Sequence, residues 1–474
     1  MTTMTAPTAT AADGALSTPE ADRALAERLM AAARAAGAAE VDVIVAASSS
    51  ASVSVSGRAL EEAERAETRE AGLRVIVDLP GSPAGGAGRA QASVAASDLS
   101  DGALAEMAER AVAMARAAPA DPYCGLADPA LLSATRDAAA LDLVDPAAPL
   151  EPPALEALAM RLEEAALAVP GVVQVSEAGA SWSRERLTVA LSNGFLGGYA
   201  RSSTGLGLTA IAGEGLGRER DYAVESRRHA ADLPEPETVG RLAGERTVER
   251  LGPRRPPGGR VPVVLHERVA ASLIGHVLSV ANGAAVARGA SWLEGRLGEA
   301  ILPAGIDLVE APLIARGRAS RPFDAEGLAT ARRAIVEDGV LARWILDLAT
   351  ARQLAMESTA NARRGLGGPP SPGLSNLTMT QGTGDAASLA REIGTGMLVT
   401  SFIGASINPT TGAYSRGASG FWIEGGEIAY PVNEVTLAGS LPEVIATIRP
   451  AADADHAKAM AVPSLAVEGL TVGA

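Results

Sequence analysis

The chain has 474 residues, more than one core organises, which points to two or three domains. Its hydrophobic content of 47% is ample, yet only 3% is aromatic, so alanine, valine and leucine must do the packing. A net charge of −15 and a pI near 4.9 argue against nucleic acid as the main partner.

Cys124 is the only cysteine, which excludes an internal disulfide and a cysteine-rich metal site. No apolar run approaches the roughly 18–20 residues of a membrane span. The first residues hold neither the basic nor the apolar segment of a secretory signal, so a cytoplasmic protein without a membrane partner is expected.

Residues 1–18 are small and polar without periodicity and read as a disordered tail. Residues 19–120 read as an N-terminal α+β domain. Thr18-Pro19 opens a helix that Gly37 closes, and strands follow over Val41–Ala46 and Ala51–Ser56. A polar strand runs to Arg69, a buried one spans Leu73–Val77, and Pro80–Gly88 is a loop. Leu104, Met107, Ala111 and Met114 form the core stripe of a helix over Ala103–Ala117.

Residues 121–235 read as a central, sheet-rich domain behind a helix over Ala154–Ala168. Its strands are Val172–Val175, Arg186–Ser192, Gly197–Ser203 and Gly205–Ala212, with a hairpin at Asn193-Gly194. Residues 236–259 are helix and linker, ending in the proline- and glycine-rich run Leu251–Gly259. Residues 260–474 form a β-rich C-terminal domain. It begins with a strand at Val261–Leu265 and a helix at Arg268–Val280. Asp338-Gly339 turns a hairpin of Arg333–Glu337 and Val340–Leu346, a helix covers Ala349–Ala360, and Asn361–Ser375 is a mobile surface loop. The fold class is α+β: N-terminal α/β units with antiparallel sheets, then a β-rich C-terminal domain.

The most informative stretch is Ile393–Gly439. Met397–Ile403 is a strand, and Phe421–Glu424 and Glu427–Tyr430 flank Gly425-Gly426, a strong hairpin signal. Phe421 and Trp422 are adjacent, so on a strand one fills the core and the other faces a partner, a ligand or a second layer.

No catalytic constellation emerges from the residues themselves. His266-Glu267 begins like a helical zinc motif, but Ala270 and Ala271 stand where a second histidine is needed. His276 shares a face with Val269, Leu273 and Val280, the position of a core or interface histidine. Gly417-Ala418-Ser419-Gly420 has the wrong spacing for a nucleophile elbow, and Cys124 lacks an activating context. The glycine pairs around Gly205 and Gly213 lack dinucleotide-binding spacing.

The run YSRGASGFWIEGGEIAYPVNEVTLAGSL resembles the C-terminal signature of the TldD/PmbA family, on its PmbA (TldE) side. DPYCGLAD, SNGFLGGYARSSTGLGLTAIA, SRRHAADL, SWLEGRLGEAILP and RPFDAEGLATARRAIVEDGVL resemble further segments of that family in the same order. In this family a TldD-like subunit carries zinc on an HExxxH motif and pairs with a TldE-like subunit that lacks it. Together they cut flexible or unfolded peptides, including precursors of ribosomally made peptides.

Set on the helix before SWLEGRLG, that motif falls on Leu273, Ile274 and Leu278, or one residue on at Ile274, Gly275 and Ser279. The resemblance therefore implies no catalytic residue and no cofactor in this chain, with zinc in a TldD-like partner. The implied role is a non-catalytic, cleft-forming subunit of a heterodimeric peptidase, its peptide substrate adding as a strand at a sheet edge. Tyr414, Arg416, Phe421 and Trp422 are expected near the cleft or interface, metal ligands nowhere. The alternative is a homodimeric regulatory protein of the gyrase-modulator type. An independent enzyme built around His266 or His276 is a third reading, disfavoured by ligand spacing.

Overall fold

The computed structural model describes residues 16–79 and 88–473. The expected tail lies outside them except for Leu16, Ser17 and Thr18, as does the Pro80–Gly88 loop except for Gly88. The fold is α+β, with antiparallel sheets in the N-terminal half and a β-rich C-terminal region. Among the described residues no helix is long and apolar enough to cross a membrane.

Helix α1 (Pro19–Ala35) starts as its residues dictate, with the Thr18 hydroxyl accepting from the Ala21 amide and proline in the first turn. Strand β1 (Glu40–Ser56) pairs with β2 (Ala59–Asp78), and β3 (Arg89–Ala96) adds to β2 before α2 (Asp101–Ala117). After α3 (Pro152–Leu167) come β4 (Val172–Leu191), β5 (Leu196–Ala212), β6 (Glu219–Arg227) and α4 (Pro236–Glu249). All six strands form one antiparallel sheet in the order β3-β2-β1-β4-β5-β6. The segments read as N-terminal and central units thus contribute three strands each to a single sheet.

The strands are longer than the sequence reading has them, for a physical reason. Ser48, Ser50, Ser52 and Ser54 alternate with buried Ala47, Ser49, Ala51, Val53 and Val55, so the run Ser48–Ser50 continues β1 rather than interrupting it. The charged stretch Glu61–Arg69 and the buried Leu73–Val77 are likewise one strand. Among the described residues its first half has no neighbour on the β3 side, and it is blunted by charge. The glycines of β5 do not split it either, and β6 is an additional strand. Helices α1 and α2 cover one half of a sheet face and α3 and α4 the other half, each pair over its own apolar cluster.

The C-terminal region holds β7 (Gly259–Arg260), β8 (Val263–Leu265), α5 (Glu267–Val280), α6 (Gly283–Ala287), β9 (Leu308–Glu310), β10 (Arg333–Glu337), β11 (Val340–Leu341) and α7 (Leu348–Gln353). Then follow β12 (Ala362–Arg363), β13 (Ser371–Pro372), β14 (Leu377–Met379), α8 (Ala386–Ile393), β15 (Gly396–Ile407), β16 (Ala413–Glu424) and β17 (Glu427–Ser440). Short elements α9 (Leu441–Ile445), β18 (Arg449–Pro450), β19 (Met460–Ala461), β20 (Leu465–Val467) and β21 (Thr471–Gly473) close the chain. The main sheet has the order β18-β20-β8-β15-β16-β17-β21-β7, and a second sheet β11-β10-β9-β14-β19 stands beside it. Gly425 and Gly426, at φ 60° and 85°, turn the β16–β17 hairpin as expected, because both positions are left-handed.

Three expectations are corrected here. The helix over Ala349–Ala360 ends at Gln353, where Ala355 and Ala360 adopt left-handed φ values that a helix cannot contain. The loop Asn361–Ser375 is no free surface segment. Asn361, Ala362 and Ser375 are buried, and the Arg364 side chain is fully enclosed. A Cβ at Gly72 in β2 would collide with the Leu366 carbonyl oxygen, so the loop backbone lies directly on the sheet. The second hairpin arm at Val340 is also shorter than read, pairing only through Leu341.

Arg364 closes on one oxygen of Asp42, and Arg74 donates to the other at 2.9 Å, with Asp42 only 1% exposed. This triad joins β1, β2 and the C-terminal loop across the interior. Arg352 reinforces the joint by donating to the carbonyls of Tyr123, Gly125 and Leu126 at 2.9, 3.1 and 2.8 Å. Truncating Asp42 to alanine leaves two buried guanidiniums facing each other, with an expected cost of about 3–5 kcal/mol. Arg364→Met, which keeps the Asp42–Arg74 pair, should cost clearly less. Urea unfolding of both variants checks this, and a loss under about 1 kcal/mol for Asp42→Ala contradicts it.

Candidate functional site

Helix α5 begins at His266, whose Nδ1 accepts from the Arg268 amide at 3.3 Å and so caps the helix. The cap leaves the ring proton on Nε2, an assignment made from the hydrogen bond. Burial pushes the His266 imidazole below its ordinary value, with Glu267 opposing. The apolar stripe of α5, Val269, Leu273, Ile274, Val277 and Leu278, faces the main core. Leu273, Ile274 and Leu278 offer no donor atom, and all are buried, so these positions do not fit a metal ion.

The outer turns of α5 meet β15 and β16. His276 stacks edge-on to Tyr414 with ring centroids 6.0 Å apart. Arg416 donates to the Gly404 carbonyl at 2.8 Å, contacts the Ser272 hydroxyl, and lies 4.2 Å over the Phe402 ring. Burial and the Arg416 charge both hold His276 below its ordinary value, and its Nε2 is buried without a partner. Burial pushes the Tyr414 hydroxyl up to about 12.

Of the four residues singled out from the sequence, Tyr414 and Arg416 therefore share one cluster. Trp422 lies on the same face of β16 but inside the main core, 2% exposed. Phe421 points to the other face, into a second layer with Ala386, Leu389 and Ala390 of α8. This is the two-sided placement that adjacency on a strand requires.

Phe421 also lines a cavity of about 470 Å³ where the two halves of the molecule meet. Leu398, Ile428 and Ala390 line its apolar part, while His266, Arg246 and Asp453 are among the polar groups around it. Thr400 contributes a buried hydroxyl without a partner. Beside it, Arg268 of α5 pairs with Asp221 of β6 at 2.5 Å and lies 4.8 Å over Tyr222, fastening the N-terminal sheet to the C-terminal region. Sequence reasoning misses this cavity because α4, β6, α5, α8 and β15–β17 each supply only one or a few of its residues, with no shared spacing.

Both features flank one open edge. Strand β15 runs from Gly396 to Ile407, but β8 covers only Met397–Val399. From Thr400 to Ile407 no strand among the described residues pairs with that side, and Ile403 is 62% exposed. Unpaired backbone groups in an extended strand can accept another extended chain. Among the described residues no serine, threonine or cysteine side chain is hydrogen-bonded to a histidine ring. Cys124 is buried, and its thiol is pushed up by that burial and by Asp121, the opposite of an activated nucleophile.

Three family models match the chain: PmbA/TldA metallopeptidase domain 1 over residues 41–115, the central domain over 145–251, and the C-terminal domain over 258–474. The metalloprotease PmbA of Escherichia coli O157:H7 is 38% identical over 353 residues, covering 74% of this chain and 76% of that protein. A PmbA homologue of Haemophilus influenzae is 34% identical over 404 residues, covering 84% and 85%. The same strain holds a TldD homologue that is 29% identical over 208 residues, 42% of each chain.

Among solved structures, a candidate modulator of DNA gyrase from Bacteroides thetaiotaomicron matches with a TM-score of 0.86 at 26% identity, over 96% of this chain and 99% of that one. TldE from Thermococcus kodakarensis has the same fold, with a TM-score of 0.80 at 20% identity over 95% and 100%. The chain belongs to the PmbA/TldD family of metalloprotease-like proteins. Within it, the chain stands on the PmbA side.

Replacing Arg416 with methionine removes the charge that depresses His276, so the imidazole should titrate higher than in the wild type while burial still holds it below its ordinary value. Histidine NMR titration of the two proteins measures this. An unchanged His276 titration would place Arg416 elsewhere in solution.

Proposed function

We propose that this chain is the non-catalytic, metal-free subunit of a two-component peptidase, paired with a TldD-like subunit that carries zinc. The supporting observation is the stripe on α5. Where the family resemblance sets the zinc motif, this chain has Leu273, Ile274 and Leu278, and their burial in the main core gives them a packing role. The co-occurrence of a PmbA and a TldD homologue in one Haemophilus influenzae strain is consistent with such a pairing.

In this reading the subunit builds half of a peptide cleft in a cytoplasmic heterodimer. The open edge of β15 takes up an extended backbone, which demands flexible or unfolded substrates such as peptide precursors. The adjoining cavity with Phe421, Thr400 and Ile428 seats an apolar side chain. Arg416 and Tyr414 lie on the other face, where they hold the edge against α5. No observation on the described residues favours the homodimeric regulatory alternative.

The test is co-expression with the TldD-like protein of the same host. Hydrolysis of an unfolded protein such as reduced casein is followed for each chain alone and for the purified mixture. Activity that needs both chains, with co-elution of the two, is expected. Full hydrolysis by the TldD-like protein alone, unaffected by this chain, would refute the pairing, as would hydrolysis by this chain alone.

A further inference from the structure

A second cavity, about 490 Å³, lies between the open face of the N-terminal sheet and the segments 319–325 and 362–364 of the C-terminal region. That size suits a small molecule of a few residues' bulk. Its two sides differ in chemistry. Ile44, Leu187, Val189, Tyr199 and Phe323 supply an apolar wall, in which Tyr199 meets Phe323 edge-on with centroids 5.6 Å apart.

Arginines supply the other side. Arg321 is 6% exposed and donates Nη1 and Nη2 to the carbonyls of Ala362 and Gly373 at 2.9 and 2.7 Å, which leaves its buried Nε without a partner. Arg363 has neither a hydrogen bond nor a carboxylate within 4.0 Å among the described residues. Arg201, the third, pairs with Glu185 at 2.7 Å.

Among the described residues, none of the acids lining this cavity forms an ion pair with Arg321 or Arg363 within 4.0 Å. Asp324 is buried and saturated by the amides of Glu326, Leu328 and Ala362, and Glu70 forms no ion pair within 4.0 Å among the described residues. Arg186 and Arg364, also in the wall, are turned to Asp22 and Asp42. The crowding has a measurable sign. Burial together with Arg321 and Arg201 holds the Arg363 guanidinium below its ordinary value. Nearby Arg228 falls to about 10 through burial, Arg201 and Arg318. Among the described residues neither Arg321 nor Arg363 has a carboxylate within 4.0 Å, and a bound anion would supply one.

We infer that this cavity is a binding site for a small carboxylic acid with an apolar body, its carboxylate held by Arg321 and Arg363 and its body laid against Tyr199 and Phe323. A planar carboxylate matches the guanidinium fork, and the apolar wall suits a ligand with an apolar body rather than a fully hydrated phosphate. The assignment stands apart from the peptidase reading, since it concerns binding by this chain alone.

Isothermal titration calorimetry on the full chain tests it, with N-acetylphenylalanine, N-acetylphenylalanine amide and inorganic phosphate as probes. The acid should bind, and the amide should bind at least about tenfold more weakly for want of the charge-assisted pair. Arg363→Gln should weaken the acid by about tenfold or more. The Arg363 stem packs on Gly373, its main chain pairs with Ser371, and its guanidinium bonds nothing among the described residues, so this variant should keep its fold, which a thermal melt verifies. Equal binding of acid and amide, acid binding unchanged in Arg363→Gln, phosphate bound as tightly as the acid, or no binding of the acid would each overturn the assignment.

Discussion

The molecule depends on one buried cluster of charge. Asp42 comes from β1, Arg74 from β2 and Arg364 from a loop more than 280 residues further along, and their mutual pairing, with Gln91 and the Gly368 carbonyl accepting from the two arginines, makes their burial tolerable. The cost of an unpaired charge in the interior is what locks that loop onto the N-terminal sheet. Gly72 then becomes necessary, because the loop backbone crosses β2 where any side chain would collide. With the loop fixed, the segment 319–325 is held beside it and the arginine-lined cavity acquires its roof.

A second joint works on the other flank. Asp221 on β6 receives Arg268 from the first turn of α5 and lies within 3.4 Å of Arg250 at the end of α4. The same helix start is capped by His266, so the position of α5 is set from both ends of the chemistry: a polar N-terminus tied to the N-terminal sheet, and an apolar stripe sunk in the C-terminal core. These contacts seat the helix behind the β15 and β16 edge through Arg416, Ser272 and the His276–Tyr414 pair. The open side of β15 lies between the Arg416–Phe402 stack and the cavity of Phe421, and both sides are built from residues that pack more than they react.

Turn chemistry is the most legible part of the sequence. Asn193-Gly194, Asp338-Gly339 and Gly425-Gly426 mark hairpins that the structure contains, because few residues tolerate the backbone those turns need. Strand length is less legible, since serines on a solvent face look like a break, whereas the alternation of burial carries β1 straight through Ser48–Ser50. Least legible is the segment Asn361–Ser375. Its glycines and prolines signal a surface loop, but its burial arises from the distant Asp42 and Gly72, and no local window contains that information. The same holds for the sites. Tyr414, Arg416, Phe421 and Trp422 lie in one recognisable stretch, while Thr400, His266, Arg321 and Arg363 acquire meaning only from what the fold brings beside them.

The central claim, that α5 is a core helix where the family's zinc helix would coordinate metal, is tested most directly by the zinc content of the isolated full chain, purified without chelator and measured by plasma mass spectrometry. Zinc far below one ion per chain is the predicted result. One zinc per chain, lost on replacing His266 or His276, would contradict it and make those histidines ligands.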